Sequence, residues 1–79
     1  MNNENKKPTQ AERVLAYMER NGAITQWEAL MELGIMRLAS RISEIQSKRG
    51  VTIESRFVPV YNRRGEKCHV KEYRIAEVQ

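Results

Sequence analysis

The sequence predicts an α+β domain in which three helices precede a C-terminal β-hairpin, and three observations carry that reading. Two capping-box motifs, Thr9-Gln10-Ala11-Glu12 and Thr25-Gln26-Trp27-Glu28, each open an apolar stretch with helical spacing. Gly22, Gly34 and Gly50 stand where three helical stretches would end, and glycine takes the left-handed conformation after a helix cheaply. Beyond residue 50 the composition turns to β-branched and aromatic residues around Gly65.

Residues 1–8 are polar apart from Met1 and cannot bury enough surface to offset the entropy of ordering, so they are expected to form a disordered tail. The folded domain is expected over residues 9–79, without internal linker or repeat. Helix one runs from about residue 9 to 21, with Ala11, Val14, Leu15 and Met18 on one face. Ala23-Ile24 has room for a strand stub and no more. Helix two is short, about two turns, with Trp27, Leu30, Met31 and Leu33 as its apolar face and Gly34 as its stop. Alone it would not hold, so it must pack on its neighbours. Ile35 bridges a tight connection into helix three, expected over Met36–Arg49, where Leu38, Ile42, Ile45 and the stem of Arg49 form one stripe. Arg37, Ser40, Arg41, Glu44, Ser47 and Lys48 take the opposite face and one flank. Two helices joined across a short turn containing glycine are the ingredients of a helix-turn-helix.

In the hairpin, Arg63-Arg64-Gly65 can form a three-residue loop with Gly65 left-handed. Centring the pairing there sets Val60 opposite Cys68, Val58 opposite Val70 and Ile53 opposite Ile75. One consequence is odd. Ile53, Phe57, Tyr73 and Ile75 share a face, while Val58, Val60, Cys68 and Val70 lie on the other. Either twist or a bulge near Pro59 rotates the second set inward, or the outer hairpin is apolar and packs on a second chain.

At 79 residues the chain has room for one modest core and no second domain. Its single cysteine forms no internal disulfide, no apolar run approaches the roughly 18 residues of a membrane span, and the N-terminus lacks the apolar stretch of a signal peptide. The expectation is a cytoplasmic domain without membrane attachment. The formal charge of +4 is unevenly distributed: residues 23–34 are net −2, residues 35–50 net +3 and residues 51–79 net +2. The surplus therefore falls on helix three and the hairpin, and a surplus of this sign suits a polyanion.

An α-helix fits the major groove, where Arg reads guanine through paired hydrogen bonds, and Lys, Arg, Ser and helix N-termini contact phosphate. Arg37, Ser40, Arg41 and Glu44 would lie nearest the bases, with Ser47 and Lys48 on the same surface. Thr25 and Gln26 would sit near phosphate at the start of helix two, and Arg63, Arg64 and Lys67 would hold the flanking backbone. Ion pairing of Glu44 with Arg41 or Lys48 on a solvated helix face explains the same residues without DNA. The partner expected from these residues is double-stranded DNA.

The run AITQWEALMELGIMRLASRISEIQSKRGVTIES resembles a small helix-turn-helix domain family common in bacteriophages and prophages. A hydrophobic-Thr step opening helix two, the EAL segment and the LGIMRLASRI turn and third helix carry the likeness. YNRRGEK and EYRI resemble that family's terminal hairpin. The match covers about residues 10–76 and implies a winged helix-turn-helix fold that binds DNA in a phage regulatory setting, within the cytoplasm of a bacterial host. One departure concerns the spacing of phage repressors. With Gly34 as the turn glycine, Leu30 falls at their small-residue position and Ser40 and Ser43 where buried aliphatics belong. That indicates winged-helix geometry and not the repressor type.

No catalytic chemistry, metal site or cofactor is expected. Cys68 and His69 are adjacent on a strand and point to opposite faces, so they do not converge on a metal or form a nucleophile–base pair. Tyr17 and Trp27 are expected in or near the core, not as stacking platforms. The rival reading is a winged helix that engages a host protein through its apolar outer hairpin and acidic second helix. Self-association through Val58, Val60, Cys68 and Val70, giving a homodimer, is compatible with either.

Overall fold

A computed structural model describes residues 7–76. Most of the tail expected over residues 1–8 lies outside the described residues; Lys7 and Pro8 are exposed and belong to no regular element. The order of elements is α1 (Gln10–Asn21), β1 (Ile24–Thr25), α2 (Gln26–Glu28) continuing as a π-helical turn (Ala29–Leu33), α3 (Leu38–Arg49), β2 (Ile53–Tyr61) and β3 (Lys67–Ile75).

Both capping boxes form. Thr9 Oγ1 accepts from Glu12 N–H at 3.1 Å while Thr9 N–H donates to Glu12 Oε1 at 2.8 Å, and Thr25 and Glu28 repeat the pattern at 3.2 and 2.9 Å. The bond from Thr9 N–H, aided by Arg49, holds the Glu12 carboxyl below its usual range despite partial desolvation. Arg49 Nη2 reaches Glu12 Oε2 at 2.9 Å, tying the end of α3 to the start of α1.

Helix two departs from the expected α-helix. After one turn its bonding widens, Ile35 N–H donates to Ala29 O at 2.9 Å, and Gly34 closes the segment in the left-handed region at φ +70°. The widening turns Ala29 fully inward and Leu33 partly so, while Trp27 and Met31 remain 65% and 60% exposed. The expectation that Trp27 packs in the core is thus corrected. On a helix, Gln26, Ala29 and Leu33 share the inward side, and Trp27 stands roughly opposite Ala29. Tyr17 is half-buried against the core as expected; burial and the nearby Glu28 and Glu32 carboxylates push its phenol pKa up.

Helix three begins at Leu38, two residues later than expected, because Arg37 sits at φ −116°, ψ 68° and Met36 lies in the bend before it. Val14, Met18, Ile24, Ala29, Ile35, Leu38, Ile42 and Ile45 form the core. The three residues read as the buried stripe of helix three are in it. Among the described residues no polar or charged residue is fully buried.

The sheet order is β1-β3-β2, antiparallel throughout. The stub β1 pairs Ile24 with Tyr73 and Thr25 with Glu72. The hairpin register matches the expected one: Val60 faces Cys68, Val58 faces Val70 and Ile53 faces Ile75. Nine consecutive pairs run one-to-one through Pro59, so there is no bulge there to rotate the outer valines. Ile53, Tyr73 and Ile75 pack against the core, whereas Val58, Val60, Cys68 and Val70 line the opposite side. They remain half-buried or, for Val60, 39% exposed.

Candidate nucleic-acid interface

The helix-turn-helix is closed by one side chain. Gln26 Nε2 donates to Ile35 O at 3.0 Å, and Gln26 Oε1 accepts from Leu38 N–H at 3.1 Å. Arg37, at the N-cap position of α3, provides no side-chain cap, so Gln26 supplies that acceptor from helix two. Its amide is therefore engaged in holding the turn. Thr25, expected beside it at a phosphate, has its N–H and hydroxyl bonded to Glu28. A carboxylate thus occupies the helix start where an anion would sit.

On α3 the outward residues are short. Ala39, Ser43 and Ser47 are exposed and Ser40 is half-buried. The charged residues beside them form a linked group. Arg41 Nε lies 3.0 Å from Glu44 Oε1, a charge contact whose geometry falls short of a hydrogen bond. Arg41 Nη1 donates to Gln10 Oε1 on α1 at 3.2 Å, and Lys48 Nζ is 3.8 Å from Glu44 Oε2. Ser47 Oγ makes a long bond of 3.4 Å to the Glu44 carbonyl. Arg41, Glu44 and Lys48 are thus partnered along the helix, while Arg37 is exposed and in no ion pair among the described residues.

The hairpin tip is built around Asn62, a residue the sequence reasoning missed. Its Oδ1 accepts from Arg64 N–H and Glu66 N–H, both at 2.9 Å, and its Nδ2 donates to Glu66 Oε1 at 2.9 Å. Gly65 N–H donates to Asn62 O at 2.9 Å with Gly65 at φ +81°. Asparagine bonding the backbone two residues on is a recurrent turn device, so the signal was present in NRRG. The effect is to hold Arg63, Arg64 and Lys67 exposed on an ordered loop, none of them ion-paired among the described residues. Gln46 was also missed: its Oε1 accepts from Ile53 N–H at 3.2 Å and joins α3 to the root of the hairpin.

Candidate residues therefore fall in two places. Arg37, Ser40, Arg41, Glu44, Ser47 and Lys48 share the accessible surface of α3, and Arg63, Arg64 and Lys67 the hairpin tip. Thr25 and Gln26 support the turn between them. Cys68 is half-buried with Sγ near Asn62 Nδ2 at 3.7 Å, and no cluster of three or more His, Cys, Asp or Glu could hold a metal among the described residues. Likewise, no helix among them is long and apolar enough to cross a membrane.

Comparison with curated proteins and with solved structures finds no significant match. A family model described as a winged helix-turn-helix domain matches residues 9–78, in agreement with the helices, turn and hairpin above, and the chain belongs to that family.

Proposed function

We propose that the protein binds double-stranded DNA sequence-specifically, with α3 in the major groove and the hairpin wing on the flanking backbone, as a phage or prophage transcriptional regulator or DNA-architecture protein in the bacterial cytoplasm. The observation that carries this is the pairing of two exposed surfaces. One is a helix of short side chains flanked by Arg37, and the other is an ordered tip bearing Arg63 and Arg64. Short residues let a helix backbone approach base edges, and the two tip arginines suit phosphate. The Arg41–Glu44 pair and Lys48 enter the interface as a unit already oriented by Gln10.

The test is a salt titration of binding to random and source-genome duplexes by fluorescence anisotropy. A fragment retained at physiological salt about a thousandfold more tightly than random DNA is expected. With such a fragment, Arg37→Ala should lower specific affinity by about 1–3 kcal/mol and leave random binding nearly unchanged. Arg63→Ala/Arg64→Ala should weaken both and reduce the salt slope by about 2. Equal losses on both DNAs in both variants would remove this division of roles.

A second reading, recognition of a host protein, draws on the exposed Trp27, Met31 and Met36 beside Glu28 and Glu32. Uniform DNA binding that vanishes as salt rises would favour it. The unbroken hairpin register supports pairing of two chains through Val58, Val60, Cys68 and Val70. On that proposal Val60→Glu gives a monomer by sedimentation; an unchanged profile removes the homodimer.

A further inference from the structure

The wing separates its charges by face. Glu54–Arg74 and Arg56–Glu72 pair across the strands on the side shared by Val58 and Val70. The other side, continuous with the core-packed Ile53, Tyr73 and Ile75, projects past the core as three cross-strand pairs: Phe57 opposite Lys71, Pro59 opposite His69 and Tyr61 opposite Lys67. All six are exposed, Phe57 by 68% and Tyr61 by 69%. The lysine Nζ of Lys71 lies 5.6 Å from the Tyr73 ring centroid, which places its charge on this face. Strand alternation sends Glu54 and Glu72 to the opposite side, and Glu66 lies in the turn with its carboxylate held by Asn62, so no carboxylate of the two wing strands shares the face with these cations.

We propose that this core-side face of the wing is a track for single-stranded nucleic acid, with bases stacking on Phe57 and Tyr61 and phosphates following Lys67, His69 and Lys71. An aromatic row beside a cationic row is what a sequence-tolerant single-strand site requires, because every base has a stacking face and every phosphate a charge. Spacing decides between strands. Phe57 and Tyr61 lie four residues apart on β2, so at roughly 3.2–3.4 Å per residue their rings stand about 13 Å apart, roughly four times the 3.4 Å axial step per nucleotide in a duplex strand. Bases stacked in a duplex cannot interleave with rings at that interval, whereas an unstacked strand can. Pro59, midway between the rings, adds a flat apolar surface and removes one N–H from the edge strand β2, which disfavours capture of another β-strand.

The inference goes beyond duplex binding and shares only Lys67 with the residues assigned to it. The experiment compares a fluorescein-labelled twelve-nucleotide oligothymidylate (about one OB-fold-sized site) with a random duplex, using wild type, Phe57→Ala/Tyr61→Ala and Lys67→Ala/Lys71→Ala. Both rings are exposed, so the aromatic variant should melt like wild type by circular dichroism. It should lose about tenfold or more in affinity for oligothymidylate and less than about twofold for the duplex. The lysine variant should weaken single-strand binding and make its loss with salt shallower, since two fewer phosphates are neutralised. No binding of oligothymidylate by wild type overturns the proposal, as does an aromatic variant that binds it undiminished. Equal loss on single strand and duplex overturns it too, by assigning the rings to the duplex interface. Failure on oligothymidylate with duplex binding intact leaves the duplex reading standing, so the two are separable.

Discussion

Ile45→Ala is expected to remove about a quarter or more of the domain's stability. Ile45 is fully buried in the centre of the α3 stripe, between the levels of Leu38 and Arg49, and shares the only cluster of buried residues in the described chain. Removing three carbons there costs the transfer energy of those atoms and the residual cavity, about 3–4 kcal/mol for a site of this kind. A domain of 79 residues has a total stability of only about 4–12 kcal/mol. The midpoint of thermal unfolding should fall by roughly 12–30 °C. Ile45→Val, which leaves one methyl fewer, should lose about 1 kcal/mol. A melt of Ile45→Ala within a few degrees of wild type would mean that α3 is held mainly by its polar ties to Glu12, Gln10 and Ile53.

Gln26→Ala is the second large effect, because one amide serves both ends of the turn. Its loss leaves the Leu38 N–H and the Ile35 carbonyl without a protein partner in a partly buried place. The cost is about 1–3 kcal/mol in stability, read as a drop of roughly 5–20 °C in the melting midpoint. Duplex affinity should fall as well, since the start of α3 is no longer held against helix two. Gln26→Glu separates the two bonds. Its carboxylate still accepts from Leu38 N–H and suits the helix N-terminus, but it cannot donate to Ile35 O. An intermediate loss in that variant, alongside a larger one in Gln26→Ala, identifies both bonds as active. Wild-type melting of Gln26→Ala would show that water replaces the amide at no cost.

These two residues also mark how much of the molecule could be read in advance. Ile45 was legible because Leu38, Ile42 and Ile45 recur at helical intervals and leave one solution for the buried side. The hairpin register was equally plain, since Gly65 in a short loop determines every cross-strand partner down to Ile53 and Ile75. Gln26 was read as a surface residue near phosphate, because a polar side chain at the second position of a capping box gives no sign of its tertiary partners. Trp27 misled for the converse reason. Hydrophobicity selects Trp27, Leu30 and Met31 as a helical face, yet close approach to α1 and the turn selects small Ala29 and bonded Gln26. The π-helical widening that brings Ile35 N–H to Ala29 O depends on that packing and leaves no local signature. For the candidate interface, residue type and helical face placed α3 and the wing tip. What they could not supply was the occupancy of each group: Arg41, Glu44 and Lys48 turn to one another, and Arg37, Arg63 and Arg64 do not.

The central position of β3 has a consequence for recognition as a mechanical matter. One strand carries Lys67 near the tip of the wing and, six residues on, Tyr73 paired with Ile24 at the doorstep of helix two. Tip and turn are therefore fixed to a common beam, and Gln46 bolts α3 to the neighbouring strand. Two contact points mounted in this way meet a ligand as a caliper does, at one set separation. The entropy of aligning them is spent in folding, so a ligand that fits both loses its freedom of tumbling once. A ligand whose two points are spaced differently gains from only one jaw.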